Sequence, residues 1–252
     1  TERTTSIRAM ARLMTEKWNG DRAGGIPMMP EQIRASDYPC NGIFLGLTCQ
    51  DIQPATVDMR THPFLLISQV GADNYVMALI IRQVLEKLGP KTIVLSDSIP
   101  GLEIPVTQEM DIALKDLMPE LQRRKDALTE SGLEAEKYPY IAVLIPDLRA
   151  TFEKVTNESM KRLNSIVVLG ERLNVVLVVQ GQAEDINLFY NAGEAFTNSF
   201  VRQAVSLLIG GKASVHSVLP VNLPLSEQNV LLNEGQGYLI RDKETLKIKV
   251  LQ

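Results

Sequence analysis

Five short apolar runs restrict this chain to few folds: Phe64–Ile67, Thr92–Leu95, Ile141–Ile145, Asn174–Val179 and Val205–Ile209. None alternates apolar and polar residues along its length, as a strand with one wet face does, so each predicts a strand covered on both faces. Helical spacing fills the intervals. Tyr75–Leu88 repeats Met77, Ile81, Val84 and Leu88 on one face, and Gly89-Pro90 stops it. Thr107–Ser131 is helical and highly charged, with Pro119 predicting a kink or a break. Phe152–Arg172 predicts a third helix. Buried strands alternating with helices imply an α/β domain with a mostly parallel central sheet. Beyond them, Gly235–Tyr238 and the alternating Leu246, Ile248 and Val250 predict a terminal hairpin.

Residues 1–62 read as a lead-in packed on a core of residues 63–252, the two forming one structural domain. Within the lead-in, Thr5–Trp18 predicts an amphipathic helix with Ile7, Met10, Leu13 and Met14 on one stripe. Asn19-Gly20 and Gly24-Gly25 end it, and Ile26–Pro30 predicts extended chain. Because the sequence opens on Thr1 and not on a methionine, a piece of a longer chain is expected.

Composition narrows the function. A net charge of −4 weighs against a generic nucleic-acid surface, so no nucleic-acid partner is expected. Cys40 and Cys49 are too few for a disulfide scaffold and make no zinc motif. His62 and His216, the only histidines, leave little material for a metal site or a Ser-His-Asp triad. No segment has the shape of a signal peptide or the ~18 apolar residues of a membrane span.

Ligands of parallel sheets sit beyond the carboxyl ends of the strands. The loop after Phe64–Ile67 lies there, between a strand and a helix, where a phosphate-binding loop would read G-x-x-x-x-G-K-[ST]. The aligned octet is Ser68, Gln69, Val70, Gly71, Ala72, Asp73, Asn74 and Tyr75. Ser68 and Asp73 replace the two glycines, Asn74 the lysine and Tyr75 the Mg²⁺-binding hydroxyl residue. A carboxylate ~4 Å from a phosphate charge costs about 4 kcal/mol at an effective dielectric near 20. A helix N-terminus returns only about 0.3–1 kcal/mol, so Asp73 repels phosphate if it faces the cradle. Pointing outward, it leaves Gly71 and the main-chain amides as a weak ATP site, with Mg²⁺ only alongside ATP. An ordinary strand-to-helix turn without ligand is the competing reading.

The second element of an ATPase is an apolar strand ending in Asp-Glu, for Mg²⁺ and for the attacking water. Here Ile141–Ile145 ends in Pro146-Asp147. Proline offers no ligand, and Asp147 is a methylene shorter than Glu. Arg123-Arg124-Lys125 reads as a solvated helix face. Arg172 and Arg202 stay open as arginines acting in trans on a neighbour.

In order and spacing, five stretches together resemble the FtsK/SpoIIIE motor ATPases, and more narrowly the C-terminal degenerate ATPase domain of the EssC/EccC proteins of type VII secretion. They are Ile26–Ile33 with Gly46–His62, Leu117–Gly132, Tyr138–Asp147, Leu173–Gln180 and Gly235–Tyr238. The resemblance implies a three-layer RecA-like P-loop NTPase fold, and it places Gln180 at a sensor-type position. It further implies a cytoplasmic module of a membrane-anchored protein of a Gram-positive bacterium, with neighbouring ATPase modules in the same chain and a hexamer in the intact protein. Its substrates would be WXG100-type secreted proteins, taken by their C-terminal tails. An active DNA-translocase-like ATPase and a purely structural module are the alternatives that the residues leave open.

Overall fold

The computed structural model describes residues 2–17, 20, 28–68, 74–131, 138–233, 235–242 and 244–252. Their strands are β1 (Ile43–Thr48), β2 (Pro54–Val57), β3 (Phe64–Ser68), β4 (Thr92–Leu95), β5 (Ile141–Ile145), β6 (Val175–Gln182), β7 (Val205–Ile209), β8 (Gln236–Arg241) and β9 (Glu244–Val250). The helices are α1 (Glu2–Lys17), α2 (Asn74–Leu88), α3 (Met110–Ser131), α4 (Leu148–Lys154), α5 (Asn157–Leu169), α6 (Ala183–Asn191), α7 (Ala195–Gln203) and the short α8 (Leu225–Gln228).

One sheet carries the strands in the order β2-β1-β9-β8-β7-β3-β6-β5-β4. From β7 to β4 every pairing is parallel; from β2 to β7 every pairing is antiparallel. The parallel part is the core of the fold, and the antiparallel strands extend it on one side. Its two faces follow from side-chain alternation along each strand. Leu65 and Ile67 of β3 pack with Leu114, Leu163 and Phe200 of α3, α5 and α7. Phe64 and Leu66 pack on the other face with Met77, Ile81 and Val84 of α2. The result is three layers, helix, sheet and helix.

Several expected boundaries move, each for a local reason. Pro119 lies inside α3 without ending it. It is exposed, so the carbonyl that loses its amide partner can turn to water while Leu114, Leu117 and Leu121 hold the opposite face in the core. The single helix expected over Phe152–Arg172 is two. Asp147 caps α4 earlier than periodicity suggests, and Thr156 caps a new start for α5, accepting from the Ser159 amide. Asn174 precedes its strand instead of opening it: it adopts left-handed backbone (φ 55°, ψ 46°) and donates Nδ2 to the Tyr138 carbonyl at 2.7 Å. The lead-in contributes β1 and β2 to the sheet itself, through β1 pairing with β9. Gly46 permits that pairing, since a Cβ there would overlap the Lys249 carbonyl oxygen. The stripe Ile7, Met10, Leu13 and Met14 of α1 is exposed. Trp18, Asn19 and Gly24-Gly25 lie outside the described residues.

Two buried polar groups were not expected. Arg124, in the charged triplet, is 2% exposed. Its Nε donates to Glu120 at 2.8 Å and its NH1 to the Leu173 carbonyl at 2.7 Å, and Tyr138 stacks against the guanidinium. It ties α3 to the turn that leads into β6. The hydrogen bond from Arg123, with Arg124 beside it, holds the Glu120 carboxyl down at about 2. His216, beyond β7, is 7% exposed, and among the described residues neither ring nitrogen has a hydrogen-bond partner. Burial depresses its pKa to about 4.

Removing the Arg124 guanidinium strands the Leu173 carbonyl and opens a void, so Arg124→Ala should cost about 3 kcal/mol in urea unfolding. Arg123→Ala, at an exposed ion pair, should leave the urea midpoint nearly unchanged. For His216, the unfolded imidazole takes a proton below its ordinary 6.5 while the folded one does so only below about 4. The term is absent above pH 6.5, grows as pH falls and is complete below pH 4. Between pH 7 and pH 5 it should remove about 2 kcal/mol of stability. His216→Leu should flatten that slope in chemical denaturation.

Candidate functional site

The chain runs from β3 over the sheet to β4 at the far edge and returns through β5 and β6, then crosses β3 to reach β7. The strand order therefore reverses beside the carboxyl end of β3, where open α/β sheets leave a crevice. A cleft of about 430 Å³ lies there. Ser68 closes β3, Asp97 and Ser98 follow β4, Pro146 and Asp147 follow β5, and Gln180 to Gln182 end β6; Arg149 and Asp185 enter from α4 and α6. Strand register fixes these neighbours, since Leu66 pairs with Gln180 and Ser68 with Gln182.

Of the candidate residues, Ser68, Asp147 and Gln180 come together in this cleft. Ser68 is 2% exposed and Gln180 is 5% exposed. Gln69, Val70, Gly71, Ala72 and Asp73 lie outside the described residues. Asn74 opens α2, and Tyr75 stands 60% exposed in its first turn.

Asp147 is engaged in local structure. Its Oδ1 accepts the Ala150 amide at 2.9 Å, and its main-chain oxygen accepts the Thr151 hydroxyl at 2.7 Å. Thr151 in turn shares a 2.7 Å hydrogen bond with Ser96 at the end of β4. The position that would carry a magnesium ligand is Pro146, which is buried.

Asp97, Arg149 and Asp185 were not anticipated, although Asp97 and Asp185 follow strand ends, where the crevice rule points. The Asp97 carboxyl lies below the usual carboxylate range because the Lys154 ammonium, 3.0 Å away, and the Ser98 amide bond its charged form. Arg149 bridges to Asp185 at 3.1 Å. Among the described residues lining the cleft, three carboxylates (Asp97, Asp147, Asp185) face one guanidinium (Arg149), a net of −2. That donor set does not fit a magnesium nucleotide: the strand-end acid is spent on a helix cap, the residue before it has no ligand atom, and the arginine is paired. No group of three or more His, Cys, Asp and Glu side chains among the described residues could hold a metal ion. No described helix is long and apolar enough to cross a membrane.

Fold and cleft define the class first: an α/β module with the P-loop ATPase fold and a cleft at the carboxyl edge of its parallel strands. Particular solved structures share this fold. EssC (ATPases 2 and 3) from Geobacillus thermodenitrificans superposes with a TM-score of 0.74 at 21% identity, over 97% of this chain and 49% of that one. The cytoplasmic domain of the Thermomonospora curvata type VII secretion ATPase EccC does so with 0.68 at 16% identity, over 98% and 31%. EccC (ATPases 2 and 3) from the same organism, in complex with a signal sequence peptide, gives 0.64 at 17% identity, over 98% and 48%. The chain thus spans half or less of the length of these structures. No family model matches the sequence, and no curated protein matches it. At these identities the shared property is the fold, and the fold is that of the EssC and EccC ATPase domains.

Asp147→Ala removes the α4 cap and should destabilise the protein by about 1 kcal/mol in urea unfolding, whereas Asp147→Asn or Asp147→Ser, which cap as well, should recover most of that loss.

Proposed function

We propose that this chain is a module of a type VII secretion motor that no longer hydrolyses ATP. It works in recruitment of WXG100-type substrates by their C-terminal tails and in assembly with neighbouring ATPase modules. The engagement of Asp147 as a helix cap beside the buried Pro146 carries the reading, because it takes the water-activating position out of the chemistry while the frame around it is kept. The likeness to EssC and EccC, one of them solved with a signal sequence peptide, supports a role in protein export. In the intact protein the module belongs on the cytoplasmic side of the membrane, in a hexamer.

Nucleotide binding is weak on this reading. A cradle would have to come from the main-chain amides of residues 68–75, and the excess of carboxylates among the described residues lining the cleft opposes phosphate. With a Kd no tighter than about 1 mM, roughly 1 mM ATP stabilises by no more than about 0.4 kcal/mol.

Steady-state phosphate release with ATP and Mg²⁺, with and without DNA, should stay at background, while calorimetry should detect a WXG100 tail peptide. Turnover that disappears in Asp147→Ala would make the module an active motor. Absence of tail binding, here and in the full-length protein, would leave it a structural module.

A further inference from the structure

A groove of about 550 Å³ runs between α3 and α5. Its floor is apolar, made by Met118, Pro119 and Leu121 of α3 and Leu169 of α5. Ile112, two turns before Pro119 on the same stripe of α3, is 51% exposed and lengthens this apolar surface. The rim is cationic. Lys115 and Lys125 of α3 and Arg162 of α5 line it, and among the described residues no carboxylate does. Arg162 is partly engaged, by the Ser159 hydroxyl at 3.3 Å and the Glu158 carboxylate at 3.9 Å, and Asp111 lies near enough to feel its charge. Lys115 and Lys125 are exposed, and neither ammonium has an ion-pair or hydrogen-bond partner among the described residues. The chain as a whole carries −4, so this local excess of positive charge runs against its average.

Ten residues of helix rise about 15 Å, so the two lysines stand too far apart for one small anion to meet both. A partner that answers both therefore carries several negative charges along its length. It also carries an apolar stripe, since Met118, Leu169 and the proline ring gain nothing from phosphates. A nucleic acid, charged without interruption, would moreover pass Asp116 and Asp126, the exposed chain neighbours of Lys115 and Lys125. An amphipathic helix places its carboxylates at intervals. Laid between two helices it buries one face on the floor and keeps its flanks at the rim, where acidic side chains reach the lysines.

We propose that the groove between α3 and α5 docks an amphipathic helix of a partner protein, apolar face down, with acidic side chains paired to Lys115 and Lys125. Ion pairs at an exposed rim add little affinity; they select the partner and its direction, while the apolar floor supplies most of the binding. This surface shares no residue with the cleft at the carboxyl edge of the sheet, so it stands or falls independently of the reading of that cleft and of tail capture.

Fluorescence anisotropy on the full chain tests it with three labelled helical peptides: a leucine stripe flanked by Glu, the same stripe flanked by Lys, and a serine stripe flanked by Glu. Duplex DNA is the fourth probe. Only the first peptide should bind the parent protein. The double variant Lys115→Glu/Lys125→Glu should bind it about tenfold more weakly and should gain the Lys-flanked peptide. Both lysines are exposed, so the variant should melt as the parent does; exchanging Glu for Lys in the peptide gives the same answer without any variant. If the serine-stripe peptide or the duplex binds as tightly as the first peptide, the surface is a plain electrostatic patch and the helix dock is wrong. Binding of the first peptide that charge reversal leaves unchanged puts it elsewhere and overturns the groove. No binding of the first peptide overturns the proposal outright.

Discussion

β3 is hydrogen-bonded on both sides, to β6 and to β7, and covered on both faces, so its five residues have no solvent boundary. Burying its four apolar side chains contributes on the order of 6–12 kcal/mol, an upper figure because unfolded chains already bury some of this surface. The rest of the molecule is placed relative to this strand. Its neighbours are parallel, so their connections must cross the faces as helices, and all the parallel strands end at the same edge. The cleft is the necessary consequence: the chain leaves β3 in one direction and crosses it again from β6 to β7, and no described helix fills the corner where the directions part.

What happens in that corner is decided by caps. A strand feeding directly into a helix leaves orphan amides at the junction, and some oxygen must satisfy them. After β5 that oxygen belongs to Asp147, and Thr151 one turn later fastens the same helix to Ser96, just past the end of β4. That acid thus holds the mouth of the cleft in shape. Lys154 to Asp97 and Arg149 to Asp185 brace it on either side. Each pair is partly exposed and worth little alone, but together they leave no cation of the described lining unpaired for a phosphate.

The buried strands β3, β4, β5 and β7 were legible to within a residue, because an unbroken apolar run bounded by proline, glycine or charged residues has little other use. Helix starts were less so: periodicity continues through Val155, while the break there depends on the competing caps Asp147 and Thr156. β1 was hidden in the lead-in because Gly46 interrupts its apolar run, its hairpin with the short, proline-led β2 shifts register between Phe44 and Gly46, and its other partner β9 lies some two hundred residues away. Arg124 could have been found. It falls on the stripe of Leu117, Leu121 and Leu128, so the helical period placed it inside even though its neighbours Arg123 and Lys125 marked the segment as wet. Of the cleft, Ser68, Asp147 and Gln180 could be located by their strand ends. The Arg149–Asp185 bridge could not, since it needs the relative placement of α4 and α6.

The two edges of the sheet differ in how their charge is used. At the carboxyl edge the carboxylates outnumber the cations of the described lining, and the hydrogen-bonding capacity is largely consumed by caps and bridges. At the amino edge Arg202 and Arg241 line a cavity with Asp242, and Glu244 stands opposite Arg241 in the β8–β9 register. A motor domain concentrates its ligand-binding energy at the carboxyl edge, where helix N-termini and the strand-end acid meet a nucleotide. Here the cap on α4 and the bridges Lys154–Asp97 and Arg149–Asp185 take up the polar groups of that edge, so the geometry of the cleft follows from the same interactions that join α4 to its neighbours.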